Sequence, residues 1–95
     1  GSGASDMTPR TAAKVDANQA DIVAALRRIG ATVQCLHQVG HGCPDLLVGW
    51  HGENILLEVK MPGGDMTPDE LKWHAAWQGE VNIVRSISDA LECLR

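Results

Sequence analysis

The sequence predicts an α/β domain with a mixed four-stranded sheet, its elements in the order α-β-β-β-α-β and followed by a short C-terminal helix. Three observations carry that expectation. Two apolar runs, PDLLVGW and NILLEVK, sit either side of His51 and Gly52, a pair suited to a two-residue hairpin turn. Ahead of them, DANQADIVAALRRIG carries an apolar stripe at helical spacing. After them, the fully punctuated helix TPDELKWHAAWQG separates the third strand from a fourth, VNIVRS. Strands joined through a helix are expected to run parallel, by a right-handed crossover.

Each element has its own justification. In the first helix Asp16 is the expected N-cap, with Gln19 at capping-box spacing. Ile22, Leu26 and Ile29 form the stripe, widened by Val23 and Ala25, and Gly30 closes it as the C′ glycine. ATVQCLHQ reads as the first strand and VGHGC as a glycine-rich connection. The hairpin follows, then the loop MPGGDM. In the second helix Thr67 is the N-cap, Pro68 the first helical residue, Glu70 the third, and Gly79 lies past the end. Ser88 is expected to cap the final helix, DALECL. The first three strands should form an antiparallel meander.

The 95 residues are enough for one domain with a modest core. Residues 1–5, GSGAS, have the character of an expression scar, and residues 1–13 as a whole are assigned to scar and N-terminal tail. Three irregularly spaced cysteines argue against a disulfide framework and for a cytoplasmic setting. No apolar run reaches the roughly 18 residues of a membrane span. A net charge of -4 lowers the expectation of nucleic-acid binding. A bound divalent cation would reverse the local sign, so that expectation is lowered and not removed.

Within the hairpin, a turn at His51-Gly52 makes paired residues sum to 103, so Trp50 faces Glu53, Leu47 faces Leu56 and Asp45 faces Glu58. Alternation puts Lys60 on the same face as Glu58 and gathers Leu46, Val48, Trp50, Ile55, Leu57 and Val59 on the other. Like charges directly opposite each other destabilise a sheet. Two such carboxylates can share a hard cation such as Mg²⁺, which takes carboxylates plus waters and substrate phosphates. Lys60 beside them could orient or deprotonate a water, or stabilise developing charge. Together these are the parts needed for phosphodiester hydrolysis. The plainer reading is a solvated strand end with an ordinary Glu58–Lys60 ion pair.

PD followed at this distance by EVK resembles the PD-(D/E)XK nuclease superfamily. More narrowly, DANQADIVAALRRIGA, GCPDLLVGWHG, LLEVK, TPDELKWHAAWQG and VNIVRS resemble the small stand-alone VRR-NUC domains of phages and bacteria. The likeness covers about residues 14 to 94, and residues 14–95 are assigned to the nuclease-like domain. It implies a PD-(D/E)XK-like core and a Mg²⁺- or Mn²⁺-dependent deoxyribonuclease. It also implies a homodimer acting on DNA, with branched or Holliday-type junctions as substrates, in a bacterial cell or phage-infected host. By the resemblance Asp45 and Glu58 are metal ligands, the Val59 carbonyl is a third, and Lys60 is the catalytic lysine. Asp21 holds the place of the family's first-helix acid, as Asp where Glu is usual; its plain reading is a first-turn acid favoured by the helix dipole. Glu70 stands where the pattern has Gln; its plain reading is the N3 partner of Thr67. Arg85 matches part of the motif that names the family, or is a surface arginine. The departures at Asp21 and Glu70 keep a rival open: a nuclease-like module that grips DNA or protein without cutting.

Other groups have plainer readings. Cys35, His37, His41 and Cys43 are zinc-ligand types, but the spacing matches no usual zinc signature. Cys35 suits the core, and His41 a loop near substrate. Trp73 and Trp77 suit core packing or a subunit interface, with base stacking as the alternative. Arg10, Lys14, Arg27 and Arg28 either contact phosphates or form a solvated face.

Overall fold

The computed structural model describes residues 17–95. It contains α1 (Ala17–Arg28), β1 (Thr32–Cys35), β2 (Leu46–Trp50), β3 (Glu53–Val59), α2 (Pro68–Ala76), β4 (Val81–Val84) and α3 (Ile87–Glu92). The sheet has the order β1-β2-β3-β4, with the first two pairings antiparallel and β3–β4 parallel. The expected element order and strand directions are therefore present. No helix among the described residues is long and apolar enough to cross a membrane.

The hairpin register is the one the turn dictates. Trp50 pairs with Glu53, Gly49 with Asn54 and Leu47 with Leu56. His51 and Gly52 both have positive φ, 49° and 84°, as a type I′ turn demands. That turn is what fixes which face each side chain of β2 and β3 joins.

One face of the sheet is a closed core. Leu46, Val48, Leu57, Val59 and Val84 cluster with Ile22 and Leu26 of α1 and with Ala90 and Leu94 at the C-terminal end. Trp50 packs against this cluster and donates its indole N–H to the Leu94 carbonyl at 3.0 Å, which ties down the chain end. Ile29 departs from the expected stripe. It is 45% exposed in the turn that follows α1.

Several boundaries differ from those read in the sequence. β1 stops at Cys35: Leu36 still donates its amide to the Asp45 carbonyl, and its own carbonyl then accepts the Val39 amide as the chain turns away. The final helix is capped by Ser86 and not Ser88. The Ser86 hydroxyl accepts from the Asp89 amide, while the Asp89 carboxylate accepts from the Arg85 amide. This pair of bonds needs an acid three residues after the cap, and Asp89 stands three after Ser86. The expected cap at Asp16 lies outside the described residues.

Candidate functional site

Asp45 precedes β2 and Lys60 follows β3, so both flank the carboxylate end of the hairpin. Glu58 is the residue before the last of β3 and is only 1% exposed. An acid buried that deeply must find polar partners. One step beyond the Leu46–Leu57 pair, the register sets it opposite Asp45, which acts on its carboxyl. Asp45 is held in turn, because its Oδ2 accepts the Val59 amide at 2.8 Å. Burial comes first, then the hydrogen bond and negative charge of Asp45 and the charge of Glu70. Together they push the Glu58 carboxyl up to about 9, against the pull of Lys60. Glu58 therefore keeps a proton well above the ordinary carboxylate range.

The loop before Asp45 is set by close approach. A Cβ on Gly42 would stand 2.3 Å from the Asp69 carbonyl oxygen, and Gly42 also has φ +84°. Only glycine allows the loop to lie against the first turn of α2. Cys43, the next residue, is near enough for both acids to act on it. Burial, then Glu58 and Asp45, raise its thiol pKa.

The N-terminus of α2 is built by the predicted capping box. The Thr67 hydroxyl accepts from the Glu70 amide, and Glu70 Oε1 accepts from the Thr67 amide at 2.9 Å. The same Oε1 also accepts from Lys60 Nζ at 2.5 Å. Burial acts to raise the Glu70 pKa, but the bonds from Lys60 and Thr67 outweigh it and hold it below the ordinary value. So Glu70 is both a cap and the counter-ion of Lys60. Four residues on, His74 Nε2 lies 3.2 Å from Glu58 Oε1. The spacings match physically. Four residues of helix rise about 6 Å, and two residues of strand span about 6.6 Å. Glu70 and His74 on one helix face can thus meet Lys60 and Glu58 on one strand face. Sequence reasoning passed over His74, although its i, i+4 relation to Glu70 was visible.

The remaining predicted residues stand apart from this group. Asp21 is exposed on α1. One turn earlier, Asn18 Nδ2 donates to the carbonyls of Lys60 and Arg85 and fastens α1 to the ends of β3 and β4. The Arg85 guanidinium donates to the carbonyls of Met61 and Gly64, and so braces the loop after β3. His41 is exposed with φ 56°, and His37 is exposed too, while Cys35 packs against the core. Among the described residues no three His, Cys, Asp or Glu side chains gather into a metal cage, so the zinc arrangement is not formed. Arg28 is exposed, and Arg27 donates to the Val33 carbonyl at 3.0 Å. Arg10 and Lys14 lie outside the described residues. Trp73 and Trp77 stack with centroids 4.6 Å apart, beside a groove of about 420 Å³ lined by Leu36, Cys43, Leu47 and Leu56.

The donor set of the site is two adjacent carboxylates. Hard oxygen donors in that number suit a divalent cation that keeps its waters and adds substrate oxygens, as Mg²⁺ does. A cation there would also offset the burial and the negative charge that now keep a proton on Glu58. Comparison of the chain with protein-family models, with curated proteins and with solved structures finds no match in any of the three.

Proposed function

We propose that this protein is a divalent-metal-dependent deoxyribonuclease that hydrolyses DNA phosphodiester bonds, with a PD-(D/E)XK-type core of the stand-alone VRR-NUC kind. The observation that carries the reading is the acid pair with one member buried. Glu58, 1% exposed, is placed against Asp45 at the end of a central hairpin. A purely structural sheet gains nothing from opposing an acid so deeply buried with a second one. Asp45 and Glu58 would hold Mg²⁺ or Mn²⁺, with the Val59 carbonyl as a further oxygen. When bound, the ion supplies Lewis-acid charge at a phosphoryl oxygen and a bound water of lowered pKa.

The chain's own residues do the rest. The Val59 amide fixes Asp45, and the hairpin register fixes Glu58 against it. Lys60 brings a positive charge to the same face, where it can hold a water or face the charge developing on phosphate. Asp21 is retained as an outer acid, and His41 and Arg85 as accessory residues at most. The homodimer and the preference for branched DNA belong to the same proposal.

One observation favours the rival, a weakly active or inactive DNA- or protein-binding module. Lys60 Nζ is already committed to Glu70 at 2.5 Å, and a lysine so neutralised has less to give to a water or phosphate. The deciding experiment is a cleavage panel of duplex, flap and four-way-junction DNA in Mg²⁺ and Mn²⁺. Cutting is expected in both metals and should vanish in EDTA. Asp45→Asn should lose about 10²-fold or more of it. Undiminished cutting in EDTA, or none under any condition, refutes the proposal.

A further inference from the structure

Two side chains join α2 to the acid pair, and they do different things. Glu70 neutralises Lys60, and its position is already explained by the helix cap. His74 has no such local reason. α2 has no fully buried residue, yet His74 is turned inward, its side chain 14% exposed, with Nε2 on Glu58 Oε1 at 3.2 Å. Trp73 is only edge-on to its ring, 6.0 Å away between centroids.

We propose that His74 is a positioning residue for the metal-binding acids: its Nε2–H holds Glu58 Oε1 and fixes the rotation of that carboxylate against Asp45. This rests on the metal-binding reading given above. The contact itself excludes a direct ligand role for that nitrogen. With both acids ionised around a cation, a ring nitrogen facing a carboxylate oxygen must donate a proton, and so has no lone pair for the ion. No third ligand of His, Cys, Asp or Glu type completes a cage among the described residues. A carboxylate with one fixed oxygen loses less freedom when it binds a cation. Partners of this outer kind typically contribute about 10- to 100-fold to metal affinity.

The test is calorimetric titration of Mn²⁺ into chelator-treated wild type, His74→Ala and His74→Gln, with a thermal melt of each metal-free protein. His74→Ala should bind about 10- to 100-fold more weakly. His74→Gln, whose amide N–H can reach the same oxygen, should recover most of that loss. Equal affinity of wild type and His74→Ala overturns the inference and leaves the metal reading standing. So does equal loss in both variants accompanied by a lowered melting temperature, which marks His74 as packing only. If wild type binds no Mn²⁺, both fall together. A measurement on wild type needs no variant: loaded with Mg²⁺, its ring-nitrogen NMR shifts should show the Nε2–H tautomer, and the Nδ1–H tautomer overturns the inference.

Discussion

Leu57 and Glu58 are neighbours on β3 and equally buried, 0% and 1% exposed, but they point into opposite worlds. Leu57 joins Ile22, Leu26, Val48 and Val84 in a closed apolar core under α1 and α3. Glu58 faces α2, where its neighbours are Asp45 and His74, and where the helix above contributes no fully buried residue. One face of the sheet stabilises the fold. The other accepts a cost at one end, two acids side by side. Burial by itself says little: the same depth stabilises an apolar side chain and strains an acid.

Truncating adjacent residues of β3 should separate the two faces most widely. Leu57→Ala should destabilise by about 2–5 kcal/mol. Leu56→Ala, half-buried on the α2 face beside the groove, should lose well under half of that, because it removes less apolar area from packed surroundings. Chemical denaturation measures both. Equal losses would mean that the α2 face is packed as tightly as the core.

The acids give the comparison a pH signature. In the unfolded chain Glu58 ionises near its ordinary value of 4.5, whereas in the fold it keeps its proton up to about 9. Between those values the folded state binds more protons than the unfolded one, so metal-free stability must fall as pH rises. The slope is up to about 1.4 kcal/mol per pH unit for one proton. Melts of chelator-treated protein from pH 5 to pH 8 should decline, and Glu58→Gln should flatten the decline. A wild-type profile that is already flat would mean that Glu58 is ionised in the fold.

The two faces also differ in how much of them the sequence discloses. The apolar face follows from alternation around one turn. His51-Gly52 sets the register, the register sorts Leu46, Val48, Leu57 and Val59 to one side, and the structure keeps that set buried. The capping box of Thr67 and Glu70 is equally local, and is present as read. The site is legible only where it is local to the hairpin, in the facing of Asp45 and Glu58. What α2 adds is tertiary. No pattern within the helix says that Glu70 meets Lys60 or that His74 meets Glu58; both depend on where the crossover lays the helix. Asn18 was missed for the same reason, since its partners are the carbonyls of Lys60 and Arg85, 42 and 67 residues away. Ser86 and Ser88 stand two residues apart, and only the bonds of Asp89 choose Ser86 as the cap.

If Asp45 and Glu58 form one cation site, thermal melts of wild type and Asp45→Asn near neutral pH, in EDTA and in Mg²⁺, should reveal it. Asparagine can still accept the Val59 amide that Asp45 now holds, while its neutral side chain removes the negative charge that helps keep a proton on Glu58 at a pH where the unfolded chain has lost it. Asp45→Asn should therefore be the more stable protein in EDTA, by up to about 1 kcal/mol on the scale of cross-strand pairs. Mg²⁺ should raise the melting temperature of wild type, because an ion bound only by the folded state stabilises it by mass action, and it should do little for the variant. If Asp45→Asn melts below wild type in EDTA, and Mg²⁺ shifts both equally, the two acids do not share a cation.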